Sequence, residues 1–246
     1  MAEFKFPTEM VDLPSKGYFY VEGHPLSSGK VEVKYMTAKE EDILTSQNLI
    51  KQGTVIDTLL QSLIVDKAIN VHDLLVGDKN AIMVAARILG YGKEYEFEYD
   101  GIEQKVDLSK LNPVKLNFKD FTKGVNQFSF DLPTSKRTIT FRLLTGRDEQ
   151  TIAAELKAKQ KISKERSSEL TTRFKTMLSS VDGNSEQSYI NNFVDNEFLS
   201  RDSLAFRQHL TTITPDMDMT TSITTSSGKE TEVTIPVTVR FFWPSP

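Results

Sequence analysis

The sequence predicts an α+β fold, with antiparallel β regions and about seven helices in mixed helical and β segments. Three observations carry that prediction. Strict apolar–polar alternation marks "GKVEVKYM" and "EYEFEY" as half-buried strands. Apolar residues at helical spacing mark "TVIDTLLQSLIVD" and "DKNAIMVAARILGYG" as helices. The Asp100-Gly101 pair between two alternating runs is a two-residue hairpin turn, which fixes the pairing there as antiparallel.

The chain begins irregularly, with Pro14 and Gly17 as turn residues in "LPSKGYFY". The first clear strand follows: Val31, Val33 and Tyr35 point one way, Glu32 and Lys34 the other. Thr37 and Glu40 then form the S/T-x-x-E pattern of a capping box. Glu40, Glu41 and Asp42 fall in the first turn of that helix, where the dipole favours negative charge. This reading explains the three carboxylates better than a metal or acid–base site does. Gly53 is expected to end the helix. The next helix carries Val55, Leu59, Leu60 and Leu63 as one stripe. A third is expected to start at Asp78 as N-cap and stop at Gly90. Its middle is apolar nearly all round, which predicts a central, buried position.

The pattern then switches to period two. Tyr95, Phe97 and Tyr99 alternate with glutamates, and Ile102, Val106 and Leu108 return after the turn. "NQFSFDL" and "RTITFRLL" predict a second pair, with Phe128 and Phe130 facing Ile139, Phe141 and Leu143. Together they predict a small antiparallel sheet across 92–144. From 146 the chain reads as helical. Leu170, Phe174, Met177, Leu178 and Val181 give one stripe, and Ile190, Phe193, Val194 and Phe198 another. "RDSLAFRQHLTTI" is a further short helix, and the basic "KAKQKISKER" between two helices reads as a solvated face or linker.

The end is expected to be a hairpin turning at Ser227-Gly228-Lys229, with one long second strand. On that strand Val233, Ile235, Val237, Val239, Phe241 and Trp243 would share a buried face, and Arg240 and Phe242 would point away. Pro236 lacks an amide proton, so the strand is expected at a sheet edge or with a bulge. Four segments result: 1–91, a strand plus helices; 92–144, antiparallel β; 145–213, helical; 214–246, a C-terminal hairpin packing back on the body.

Composition narrows the function. There is no cysteine, which excludes disulfides and thiolate metal sites. The net charge of −4 lacks the basic balance of a nucleic-acid binder. "MAEFKFPTEMVDLP" is too broken by charge and proline for a secretory signal, and no run reaches the roughly 18 apolar residues of a membrane span. A cytosolic place of work is expected. His24, His72 and His209 lie in unrelated segments, and neither a phosphate-binding glycine loop nor a G-x-S-x-G elbow is present. No catalytic, cofactor-binding or metal-ligating residue is therefore nominated, and a non-enzymatic interaction protein is expected. The nominated partner-binding residues are Phe242, Arg240, Phe241 and Trp243, the aromatic cluster of the tail.

Three blocks carry a family resemblance: "LPSKGYFY", then "GKVEVKYMTAKEEDIL", and the closing "IPVTVRFFWP". In that order they resemble the T4-type phage baseplate protein family, which includes tail baseplate hub assembly proteins. The resemblance implies a role in building the central hub of a contractile tail's baseplate, in the host cytoplasm. Its implied partners are other tail and hub proteins, and more loosely the tape-measure protein, toward which the role would be that of a chaperone. It leaves open a transient assembly factor or a structural subunit retained in the mature virion. It supplies no catalytic residue.

Overall fold

In a computed structural model the described residues are 7–162, 168–225, 228 and 230–242. They form eight α-helices and four small antiparallel sheets, the mixed α+β class expected.

Strand β1 (Thr8–Asp12) pairs with β2 (Lys30–Lys34), Thr8 opposite Lys34. Val31 and Val33 are buried, as the alternation requires. The connection between the strands is held by close backbone approach. Gly17 has φ 72°, and a Cβ there would lie 2.4 Å from the Ser27 carbonyl oxygen. Helix α1 (Ala38–Thr45) starts with the expected capping box: Glu40 Oε2 accepts from the Thr37 amide at 2.9 Å and its hydroxyl at 2.6 Å. The helix does not run to Gly53. Ser46 takes an extended conformation and starts a separate helix α2 (Gln47–Gln52), as befits a residue favoured at caps over helix interiors. Gly53, at φ 78°, ends α2.

Helix α3 (Val55–Leu63) buries the expected stripe. Helix α4 (Val76–Tyr91) is central, with Ala81, Ile82, Met83, Val84 and Ala86 all buried. Its ends differ from expectation. It begins before Asp78, whose side chain is drawn to Ser15 and Tyr20 rather than to its own helix. It also passes through Gly90, where the absent Cβ makes room for Met36, and stops at Gly92.

Strands β3 (Glu94–Tyr99) and β4 (Ile102–Asp107) close through Asp100 and Gly101, at φ 53° and 71°. Two consecutive left-handed residues match the right-handed twist of a hairpin. Strands β5 (Phe128–Asp131) and β6 (Thr138–Phe141) pair with Phe128 opposite Phe141 and Phe130 opposite Ile139. The single sheet expected over 92–144 is instead two, because the irregular segment between β4 and β5 separates the hairpins. The second gains a third strand. After α5 (Gly146–Ile162) and α6 (Glu169–Met177), the stretch β7 (Leu178–Val181) leaves the helix and pairs with β6.

Helix α7 (Gln187–Asn192) runs into a π-helical turn at Phe193–Glu197, and α8 (Ser200–Ile213) follows. Strands β8 (Thr220–Thr224) and β9 (Glu230–Thr234) form the last hairpin. Gly228 of its turn has φ 75°, while Ser227 and Lys229 lie outside the described residues, as does part of "KAKQKISKER". The long final strand does not form. β9 stops at Thr234, two residues before Pro236, and the chain turns into a 3₁₀ helix at Val239–Phe242. Proline cannot continue the ladder, and the backbone departs there.

Most of the buried hydrophobic residues make one continuous cluster. Aromatic rings thread it: Phe19 meets Phe128 (5.5 Å between centroids), Phe128 meets Phe141 (5.5 Å), Phe141 meets Phe206 (4.8 Å), and Phe206 meets Phe174 (5.6 Å). Edge-to-face and offset contacts of this kind add to the burial of large apolar side chains.

Candidate functional site

The buried acids explain themselves by position. Glu40, Asp57, Asp78, Asp148 and Asp202 are the buried carboxylates among the described residues. Each is the third residue of its helix, α1, α3, α4, α5 and α8 respectively. There the unpaired amides and the helix dipole stabilise negative charge. Each also reaches another part of the chain. Glu40 accepts from Lys34 Nζ at 2.9 Å and Ser62 Oγ at 2.7 Å. Burial raises its pKa, but the hydrogen bonds from Thr37, Ser62 and Lys34 outweigh that and bring it down to about 2. Asp57 pairs with Lys79 and lies 3.6 Å from His72 Nδ1. Asp148 takes both terminal nitrogens of Arg142, at 2.6 and 2.7 Å. Asp202 accepts from the Thr134 and Ser135 amides in the β5–β6 turn.

Asp78 is completely buried. It accepts from the Ser15 amide (2.9 Å), the Ser15 hydroxyl (2.6 Å) and the Tyr20 hydroxyl (2.6 Å). Tyr20 in turn accepts from the Leu75 amide at 2.8 Å. Burial holds the Asp78 carboxyl above its ordinary pKa. Sequence reasoning read Asp78 as a cap and missed this lock, because its partners lie far away in the chain. The available signal was the serine and tyrosine of "LPSKGYFY".

The histidines occupy separate structural places. His24 Nδ1 accepts from the Leu26 amide at 3.2 Å. His72 sits beside Asp57, and His209 stacks on Phe130 at 4.6 Å, where burial lowers its pKa. Among the described residues, no three His, Asp or Glu side chains are grouped so as to hold a metal ion. No helix of the described residues is long and apolar enough to cross a membrane.

The tail docks on its own chain. Phe241 and Phe242 are both fully buried, with ring centroids 5.1 Å apart, and Phe241 meets Tyr95 edge-on at 4.9 Å. The Tyr95 hydroxyl donates to the Pro236 carbonyl at 3.1 Å. Beneath Tyr95 lies Arg87, buried with no carboxylate partner among the described residues. It donates instead to the carbonyls of Gly92 (2.8 Å) and Glu94 (3.0 Å), and its guanidinium lies 5.5 and 5.8 Å from the Tyr91 and Tyr95 rings. The expected alternation of Phe241 inward and Phe242 outward is overturned. In a 3₁₀ turn consecutive residues are not sent to opposite faces, and both rings enter the core. Of the nominated tail residues, Arg240 is exposed, and Trp243 lies outside the described residues.

Several clefts open on the surface of the described residues, and two of them are large and mostly apolar. One, of about 660 Å³, lies between the end of α8 and the tail and is lined by Leu210, Met217, Met219, Ile235 and Val237 with Asn80 and Asp216. The other, of about 720 Å³, lies beside the β1–β2 turn. A protein-family model described as "T4 bacteriophage base plate protein" matches residues 10–243. No curated protein and no solved structure matches the chain.

Proposed function

The chain belongs to the T4 bacteriophage base plate protein family, and from that premise we propose that it is a non-enzymatic protein acting in assembly of the baseplate's central hub. The observation that carries the reading is the family match over residues 10–243. The buried carboxylates support it from the other side, since each is engaged in joining helices to the rest of the fold. Work through surfaces is the reading these features favour.

The partners proposed are other baseplate hub proteins and, as a chaperone's client, the tape-measure protein. A long helical client presents amphipathic helices, and the apolar cleft lined by Leu210, Met217 and Met219 is of a kind that takes one. Assembly of this kind would take place in the host cytoplasm. The family's description as a base plate protein also favours a second reading, a structural subunit that stays in the virion.

Co-expression with candidate hub proteins and the tape-measure protein, followed by pull-down, tests the assignment. Stoichiometric co-purification with one of them is expected, and failure with all of them would remove the proposed role. Mass spectrometry of purified particles separates the two readings: absence supports the assembly factor, and a stoichiometric signal supports the retained subunit.

A further inference from the structure

The cleft beside the β1–β2 turn is apolar within and basic at its edge. Leu13, Val114, Leu116 and Phe118 line it. Lys16, Lys30 and Lys115 rim it, all exposed. One carboxylate, Asp12, shares that rim and is engaged by Lys30 at 3.1 Å. A cleft of this kind fits an apolar group flanked by carboxylates.

The chain carries such a group on the β3–β4 hairpin. On one face of that hairpin Tyr95 and Phe97 are buried, but Tyr99, next on the same face, is 40% exposed. Tyr99 lies opposite Ile102, so the apolar face runs on beyond the core to the tip. On the other face Glu98 lies directly opposite Glu103, both exposed. Like charges set opposite each other across a strand pair destabilise it, and an approaching cation relieves the repulsion. Lys105, the lysine of β4, is committed to Glu94 at 2.8 Å and Glu96 at 3.3 Å.

We infer that the hairpin tip of one copy of this chain docks in the lysine-rimmed cleft of a second copy. Tyr99 and Ile102 enter the cleft, and Glu98 and Glu103 meet Lys16 and Lys115. The two patches are different surfaces, so the contact is head-to-tail and propagates into a ring or an open chain of copies. A tip of two apolar side chains buries little area, so association of the isolated protein is weak and depends on concentration. It also weakens with salt, because exposed charge pairs are screened.

Sedimentation velocity of the full chain over a range of concentrations and salt tests this, with two charge-reversed variants. Glu98→Lys/Glu103→Lys reverses the tip, and Lys16→Glu/Lys115→Glu reverses the cleft. All four residues are exposed, and circular dichroism checks that each variant folds. Wild type should self-associate, more at low salt than at high. Each variant alone should need roughly tenfold or more higher concentration for the same association. An equimolar mixture of the two variants should associate again, because each then offers the other an opposite charge. Wild type that stays monomeric at every concentration would overturn the inference. So would variants that associate alone as wild type does, or a mixture that fails to associate. A cleft that takes a different protein's acidic segment would appear as a monomeric wild type, so the result is independent of the pull-downs above.

Discussion

Asp78 accepts hydrogen bonds from both the amide and the hydroxyl of Ser15, at 2.9 and 2.6 Å, across 63 residues of sequence. The contact bolts the turn between β1 and β2 to the first turn of the central helix α4. The other buried helix-start carboxylates make comparable cross-links, so the N-termini of five helices double as fasteners.

Removing this lock should be costly. Asp78→Ala leaves two hydroxyls and an amide without their acceptor in the interior, and the expected loss is on the order of 3 kcal/mol or more. Tyr20→Phe keeps the packing but strips the Leu75 amide of its acceptor, for about 1–2 kcal/mol. Urea melts of both variants check the order. A neutral Asp78→Ala would mean that the turn is not anchored through this carboxylate.

The Glu40 hub should make stability sensitive to acid. Its pKa falls from 4.5 to about 2 on folding, so the folded state holds the proton less tightly than the unfolded chain. The resulting stabilisation is complete above the unfolded value and is lost as the pH falls from about 4.5 through about 2. Because the side chain is fully buried, the full effect is up to roughly 3 kcal/mol. Glu40→Gln should flatten that part of the stability profile, read by denaturant midpoints across the range. Thr37→Ala, which removes only the hydroxyl side of the cap, should cost about 1 kcal/mol.

Glycine to alanine inside a helix usually stabilises, by about 1 kcal/mol. Gly77 should show the opposite. A Cβ built there lies 1.9 Å from the Pro215 carbonyl oxygen, and that contact is backbone, which cannot swing aside. Gly77→Ala should destabilise by roughly 1–3 kcal/mol, the range for overpacking. A rise in melting temperature would show that the 215 segment yields.

What the sequence disclosed follows from how local each signal was. The alternation around Val31 and Val33, the stripe of α3 and the Asp100-Gly101 turn are written into neighbouring residues, and each took its expected form. The strand β7 was hidden because Leu178 and Val181 are three apart, a spacing that suits a helix as well as a buried strand. β1 was hidden for another reason: its residues are nearly all exposed, so there was no alternation to find. The Asp78 lock and the Arg87 site join distant segments and leave no periodic trace. The end of β9 was legible in Pro236, whose missing amide outweighed the alternation that continued on paper to Trp243.

His209 gives a second pH signature, in a different window. Burial against Phe130 and Phe141 favours the neutral ring and depresses its pKa below 6.5. As the pH falls below 6.5 the unfolded chain binds the proton first, so stability declines with acidification through the window down to the folded value. His209→Leu should remove that decline between pH 7.5 and 5.5 while leaving the Glu40 effect at lower pH. Thermal melts at both pH values read the difference, and an unchanged decline in the variant would assign it elsewhere.

The tail separates folding from binding through adjacent residues. The sequence pattern set Phe242 apart from Phe241, on the face pointing away from the core. With both rings fully buried, Phe241→Ala and Phe242→Ala should each cost about 3–5 kcal/mol, the range for truncating a large core aromatic. Phe241→Ala also strips Tyr95 of its edge-on neighbour, so near-ultraviolet circular dichroism should report it directly. Arg240 is exposed on the same turn, and Arg240→Ala should leave the melt within about 0.5 kcal/mol of wild type. The pair of measurements then assigns the tail. If Arg240→Ala weakens co-purification with a hub partner while the melt stands, the turn presents a binding surface over a core it shares with α4. If Phe242→Ala leaves the melt unchanged, the ring is not part of the core, and the aromatic cluster belongs to an interface.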